Sequence, residues 1–262
     1  MRREASSQGA RRQSRKSPPD AGTPFLREIR LRRERVPSFD AYPFDLPIVR
    51  ALDTLALHPS VTFLVGENGS GKSTLLEAIA VACGFNAEGG TRAFNFATRA
   101  SHSPLHEYLL VVRGARMPRD GFFLRAESLF NVATQVEELG VTGYGDRSLH
   151  EQSHGESFMA LMTNRFSGDG LYLMDEPEAA LSPSRQMSLL SMMHQFVRRG
   201  AQLVVATHSP ILMAYPNSTI LELGERGIRP VAYEDTEHFS VTRDFLTRYP
   251  AMLKVLLDDE EG

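Results

Sequence analysis

The octapeptide GENGSGKS, Gly66 to Ser73, stands between an apolar run, PSVTFLVG, and a helical pattern, KSTLLEAIAVACGF. Strand, glycine-rich turn and helix in that order open a βαβ unit, which commits the chain to an α/β architecture. The octapeptide satisfies G-x-x-x-x-G-K-[ST] in full, and its fixed positions have physical reasons. Gly66, Gly69 and Gly71 let main-chain amides of the loop, through Glu67, Asn68 and Ser70, wrap a chain of phosphates. Lys72 reaches the terminal phosphates as a point charge, and the hydroxyl of Ser73, with Thr74 beside it, is placed to ligate Mg²⁺. A fortuitous glycine-rich turn would satisfy the pattern without the flanking strand and helix; here both are present.

Further short apolar runs read as strands: EYLLVVRG, GFFLRA, GLYLMD, AQLVVATH and TILEL. Helical patterns stand at SLFNVATQVEEL, ESFMALMTNRF, SPSRQMSLLSMMHQFVRRG and TRDFLTRYPAMLKVLL. Strands separated by helices predict a mostly parallel sheet flanked by helices on both faces, with an antiparallel edge. Residues 86–107 read as a long loop. Residues 126–168 read as a helical subdomain inserted between strands, broken at GVTGYGDRS. Residues 23–262 form the folded domain in this reading. Residues 1–22, rich in Arg, Ser, Gly and Pro, are too poor in large apolar residues to bury a core and are expected to be a disordered basic arm. Such an arm is a solvated tail, a contact for phosphate backbones, or an organelle transit peptide.

With 262 residues and 42% hydrophobic composition, the chain carries enough apolar material for a real core without staples. Its single cysteine, Cys83, excludes an internal disulfide and any multi-cysteine metal site, and its apolar helical setting predicts a packed thiol. No apolar segment approaches the roughly 20 residues of a membrane helix, so no direct membrane insertion is expected and a cytoplasmic setting fits. A net charge of −3 removes the chain as a whole from the class of electrostatic nucleic-acid traps.

Two more strand ends carry chemistry. GLYLMDEPEAALSP ends an apolar strand in adjacent acids, Asp175 and Glu176, a costly placement unless a cation or a water uses them. Asp175 suits Mg²⁺, directly or through a water, and Glu176 suits the base that takes a proton from an attacking water. The bland reading is a helix cap with Pro177 in the first turn. AQLVVATHSP runs into Thr207-His208, and ligands of open parallel sheets sit beyond the carboxyl ends of the strands, which makes His208 a candidate phosphate contact. EQSHGESF, residues 151–158, fits an S-x-x-E capping box through Ser153 and Glu156. With Gly155 between them, the same helix start is also suited to bind a phosphate.

These pieces in this order resemble the ATP-binding-cassette (ABC) ATPase superfamily of P-loop NTPases from about residue 25 onward. The resemblance is closest to the soluble SMC, Rad50, RecF and OLD-like branch, often called small AAA family ATPases. It implies ATP and Mg²⁺ as ligands, hydrolysis of ATP, and an ATP-dependent homodimer of facing heads. In that arrangement EQSHGES is similar to the signature loop, so Ser153, Gly155 and Glu156 would meet the phosphates bound by the other head. Gln152 and His154 depart from the family pattern. The segment after the carboxylate pair, Ala179-Ala180-Leu181-Ser182-Pro183, lacks the aspartate usual in transporter cassettes, leaving Ser182 in its place. Glu127 is the first candidate for the missing Q-loop glutamine, with Asn95 and Gln135 behind it. Tyr42 or Phe44 would stack on adenine, or pack in the core. The branch implies service to DNA maintenance, repair or defence, with DNA, another nucleic acid or an unidentified protein as partner. The alternative is the nucleotide-binding subunit of a membrane transporter.

Overall fold

The computed structural model describes residues 23–92, 103–126 and 154–257. The arm at 1–22, most of the inserted segment at 126–168, Ser153, and the Q-loop candidates Asn95, Glu127 and Gln135 lie outside the described residues. At the centre of the molecule is β3 (Val61–Val65), buried at all five positions. Side chains alternate across a strand: Val61, Phe63 and Val65 enter one core and Leu64 enters the other. Such a strand needs cover on both faces, and it lies inside a six-stranded sheet.

The sheet runs β5 (Asp120–Arg125), β6 (Gly170–Asp175), β7 (Gln202–Ala206), β3, β8 (Thr219–Gly224), β9 (Gly227–Val231). All pairings are parallel except β8 with β9, which forms the antiparallel edge. One face is covered by α3 (His154–Arg165) and α4 (Pro183–Arg198), whose Phe158, Leu161, Met162, Leu189, Met193 and Phe196 meet Phe63, Phe122 and Tyr172. The other face is covered by α2 (Lys72–Ala82), the short α1 (Pro47–Arg50) and a second sheet. That sheet is antiparallel, with β1 (Leu26–Leu31) between β2 (Thr54–Ala56) and β4 (Leu109–Arg113).

The strand expected at EYLLVVRG is therefore present but belongs to this small sheet, while β1, β2 and β9 escaped the sequence reading. Charged residues in LREIRL mask the buried side of β1, and β2 has only three residues. A buried amide fastens the two sheets together. Gln202, 1% exposed at the start of β7, accepts from the amides of Phe25 (3.0 Å) and Leu26 (2.8 Å). It donates to the carbonyls of Leu26 (2.8 Å) and His58 (2.9 Å).

The chain continues through α5 (Pro210–Met213) to α6 (Glu237–Leu257), which contains Pro250 and contributes no buried side chain. Among the described residues no helix is long and apolar enough to cross a membrane. Cys83 is packed at 4% exposure, and burial pushes its thiol up to about 11.

Candidate nucleotide site

Strand register assembles the site. Asp175 on β6 is level with Ala206 on β7 and with Arg125 on β5, and Ala206 is level with Leu64 on β3. The residues that follow β3, β6 and β7 therefore emerge side by side at the carboxyl end of the sheet. After β3 comes the phosphate loop. Gly66 has φ +145°, and a Cβ there would run into the carbonyl oxygen of Leu223 on β8. Gly71, at φ +92°, is the residue before α2, and a Cβ would stand 2.7 Å from Ile48 Cδ1. Both positions need glycine for φ, and Gly66 needs it for room as well, because its neighbour is main chain.

Lys72 is buried, and its Nζ donates to the carbonyls of Gly66 and Glu67, each at 2.8 Å. Burial lowers the Lys72 pKa, while Glu176, Asp175 and Glu178 pull it back up. Glu67, Asn68 and Gly69 are exposed, and the Ser70 hydroxyl is buried without a partner among the described residues. A loop with an orphaned buried hydroxyl, open amides and a lysine anchored at its base fits a polyphosphate. Ser73 Oγ donates to Asp175 Oδ1 at 3.0 Å, and Arg125 Nε lies 3.8 Å from Oδ2. A cavity of about 480 Å³ opens beside them, lined by Ser73, Arg125, Asp175, Glu176 and Ala179. A hydroxyl and a carboxylate adjoining one cavity form a hard oxygen pair suited to Mg²⁺.

Glu176 adopts a left-handed conformation (φ 47°, ψ 52°), and its amide donates to the Ala206 carbonyl at 2.9 Å. At this turn two successive acids serve different neighbours: Asp175 faces Ser73, and Glu176 faces His208, with 3.5 Å between Oε1 and His208 Nε2. The helix-cap reading does not describe Glu176, which precedes the short 3-10 helix Pro177–Ala180 but makes no side-chain cap bond. Burial lowers the His208 pKa first, the nearby Lys72 and His238 add to this, and Glu176 opposes them. Lys72, Ser73, Asp175, Glu176 and His208 thus lie together at one end of the sheet.

Three neighbours were missed. Glu178 Oε1 accepts the His208 amide at 2.5 Å, tying the loop after β6 to the loop after β7, and burial raises its pKa. Arg125 donates to Glu77 at 2.8 Å and lines the cavity. His238, on α6, meets the far side of the His208 ring. Arg125 and Glu178 stood in the quoted strand-end motifs and were given no part; His238 carries no local signal.

Other candidates separate. Tyr42 is 60% exposed and its hydroxyl lies 3.3 Å from Thr74 Oγ1, on the flank of the phosphate loop. Phe44 is buried edge-on against Tyr108 and is a core residue, which removes it as an adenine contact. Gly155 and Glu156 stand in the first turn of α3. Gly155 is buried, and a Cβ would collide with the Arg185 guanidinium and approach Ala180 O at 2.8 Å. Glu156 pairs with Arg185 at 3.3 Å. Ser182 caps α4 by accepting from the Arg185 amide.

A phosphate loop, a carboxylate pair and a histidine on level strand ends, with a separate antiparallel sheet, give the chain a P-loop NTPase fold of the ABC-ATPase-like kind. Comparison with known proteins agrees: the chain is similar to ABC-type P-loop ATPases. Residues 90–214 match the family model described as "AAA domain, putative AbiEii toxin, Type IV TA system", and residues 44–111 match a second, described as "AAA domain". The ribose import ATP-binding protein RbsA of Bacillus cereus is 27% identical over 78% of this chain and 47% of its own length. The hemin import ATP-binding protein HmuV of Streptomyces coelicolor is 32% identical over 64% of this chain and 66% of its own. Among solved structures, the SMC head domain from Thermotoga maritima covers 79% of this chain and 99% of its own, with 16% identity and a TM-score of 0.44. The chain spans about half the length of the RbsA relatives it matches.

Proposed function

We propose that the chain hydrolyses ATP and uses the cycle as a switch, two heads closing on Mg-ATP and parting after hydrolysis. The observation that carries this reading is the level arrangement of Lys72, Ser73, Asp175, Glu176 and His208 on three adjacent strand ends. Lys72 and the amide-rich start of α2 neutralise phosphate charge, and Glu176 accepts the proton of the attacking water. His208, beside Glu176, contacts the transferred phosphoryl. When bound at Ser73 and Asp175, Mg²⁺ supplies charge neutralisation on phosphate oxygens. Tyr42 offers its ring to the adenine from the exposed flank.

Closure would bring Ser153, Gly155 and Glu156 of one head to the phosphates of the other. The packing of Gly155 on Arg185 accounts for that glycine within one chain, so the trans contact needs its own test. Light scattering of Glu176→Gln with and without Mg-ATP provides it, alongside the same variant carrying Ser153→Arg. The expected result is a mass that doubles with ATP and stays monomeric with the added arginine. An ATP-bound protein that never dimerises would sink the two-head scheme.

DNA or another nucleic acid, reached through the basic arm, is the partner this reading favours, and a cytoplasmic setting suits it. A second reading has a specific observation behind it: relatives are named as import or transport-system ATP-binding proteins. The chain would then be the nucleotide-binding subunit of a transporter, and an integral membrane protein would copurify with it.

A further inference from the structure

The first turn of α6 lays His238 against His208, with Nε2 of His238 2.8 Å from Nδ1 of His208 and the ring centroids 5.0 Å apart. Two neutral imidazoles sharing one hydrogen bond need one protonated and one bare nitrogen. The other nitrogen of His208, Nε2, faces the Glu176 carboxylate. Among the described residues Nε2 has no hydrogen-bond partner, and the carboxylate it faces, like a phosphate, can only accept, which places the proton on Nε2. Nδ1 is then bare, and the shared hydrogen belongs to His238.

The approach of the two rings is built into the fold. Tyr233 donates its hydroxyl to the carbonyl of Pro210, two residues beyond His208, at 2.9 Å. Thr236, fully buried, donates to Tyr233 O at 2.7 Å and accepts from the Phe239 amide at 3.3 Å, which anchors the start of α6. The segment leading into the helix is therefore tied to the loop that carries His208.

From this geometry we propose that His238 is a positioning residue, donating from Nε2 to His208 Nδ1 and so holding His208 with its Nε2 hydrogen aimed at the reacting phosphate. The proposal rests on the ATPase reading for the identity of what His208 meets, but not for the tautomers of the pair. A shift of the first turn of α6 would withdraw the donor while leaving the phosphate loop intact.

Two measurements test it on the full chain. Nuclear magnetic resonance with ¹⁵N-labelled histidine, at about pH 8 where ordinary histidine is neutral, reads each ring's protonated nitrogen, with assignments from His208→Gln and His238→Gln. Expected are a bare Nδ1 and protonated Nε2 on His208, and a protonated Nε2 on His238; a protonated Nδ1 on His208 or a bare Nε2 on His238 overturns the proposal. In steady-state hydrolysis, His238→Leu should lower kcat roughly tenfold, the low end for loss of a partner that orients a histidine, with KM and melting temperature little changed. His238→Gln, which keeps an N–H donor, should recover most of it, and His208→Ala/His238→Leu should be no worse than His208→Ala alone. Equal losses in the Leu and Gln variants, or additive losses in the double variant, would reduce His238 to packing. Absence of turnover in the unaltered chain would instead refute the ATPase reading, and the resonance result would decide the histidine pair by itself.

Discussion

Gly66 shows how much one residue can carry. Its φ of +145° and the Leu223 carbonyl behind it leave no space for a side chain. Gly66→Ala should cost more than about 2 kcal/mol in urea unfolding, since it combines backbone strain with a clash against main chain. It should also weaken nucleotide binding, by isothermal titration, more than the exposed Asn68→Ala. His58 allows a prediction of opposite character. Its Nδ1 accepts from the amides of Ser60 (3.1 Å) and Val61 (3.3 Å), and burial lowers its pKa. As pH falls through about 6.5 the unfolded chain takes up the proton first, so stability drops on acidification. His58→Asn, which offers a carbonyl to the same amides, should flatten the dependence of melting temperature on pH between about 7.5 and 5.5. Residues placed by a local motif were readable from sequence: Lys72 and Ser73 follow a glycine-rich loop, and Asp175, Glu176 and His208 stand at the ends of apolar runs. Glu178 and His238 were not, because the partner of each is His208, 30 positions away, across a loop whose path no local pattern encodes.

At the scale of elements, the joint between the two sheets rests on Gln202. Its side chain serves four main-chain groups from two segments, Phe25–Leu26 and His58, three of the four bonds being fully buried. Gln202→Leu keeps the volume and strands those groups, so a loss of about 2–4 kcal/mol in chemical denaturation is expected. A loss below about 0.5 kcal/mol would mean that water or rearranged main chain replaces the amide. The same joint explains which elements the sequence concealed. The parallel strands of the large sheet are mostly apolar and were legible by composition, whereas β9, GIRPV, was not. β4 looks the same in sequence, yet its partner is β1, whose charged side hides it, so membership of the second sheet was a long-range fact. The antiparallel edge at β8 and β9 was expected in kind, without a place in the chain for β9.

For the whole molecule, charge is the property that separates the competing partners. The arm holds Arg2, Arg3, Arg11, Arg12, Arg15 and Lys16 in a chain of net charge −3. Each phosphate contact contributes about 0.9 to the slope of log affinity against log salt. Removal of residues 1–22 should therefore flatten the salt dependence of binding to duplex DNA, measured by fluorescence anisotropy; an unchanged slope would remove the arm from any such role. The order of strands has a consequence of another kind. β3 immediately precedes the phosphate loop, yet its two neighbours, β7 and β8, are made about 140 and 157 residues later. The wall against Gly66 is likewise supplied by β8. On the ribosome, then, the loop is synthesised early and has nothing to lean on, and pairings so distant in sequence form slowly. Nucleotide can be held only after the chain through Gly224 has emerged, and until then β3 is an apolar strand with two open edges, the natural client of a chaperone.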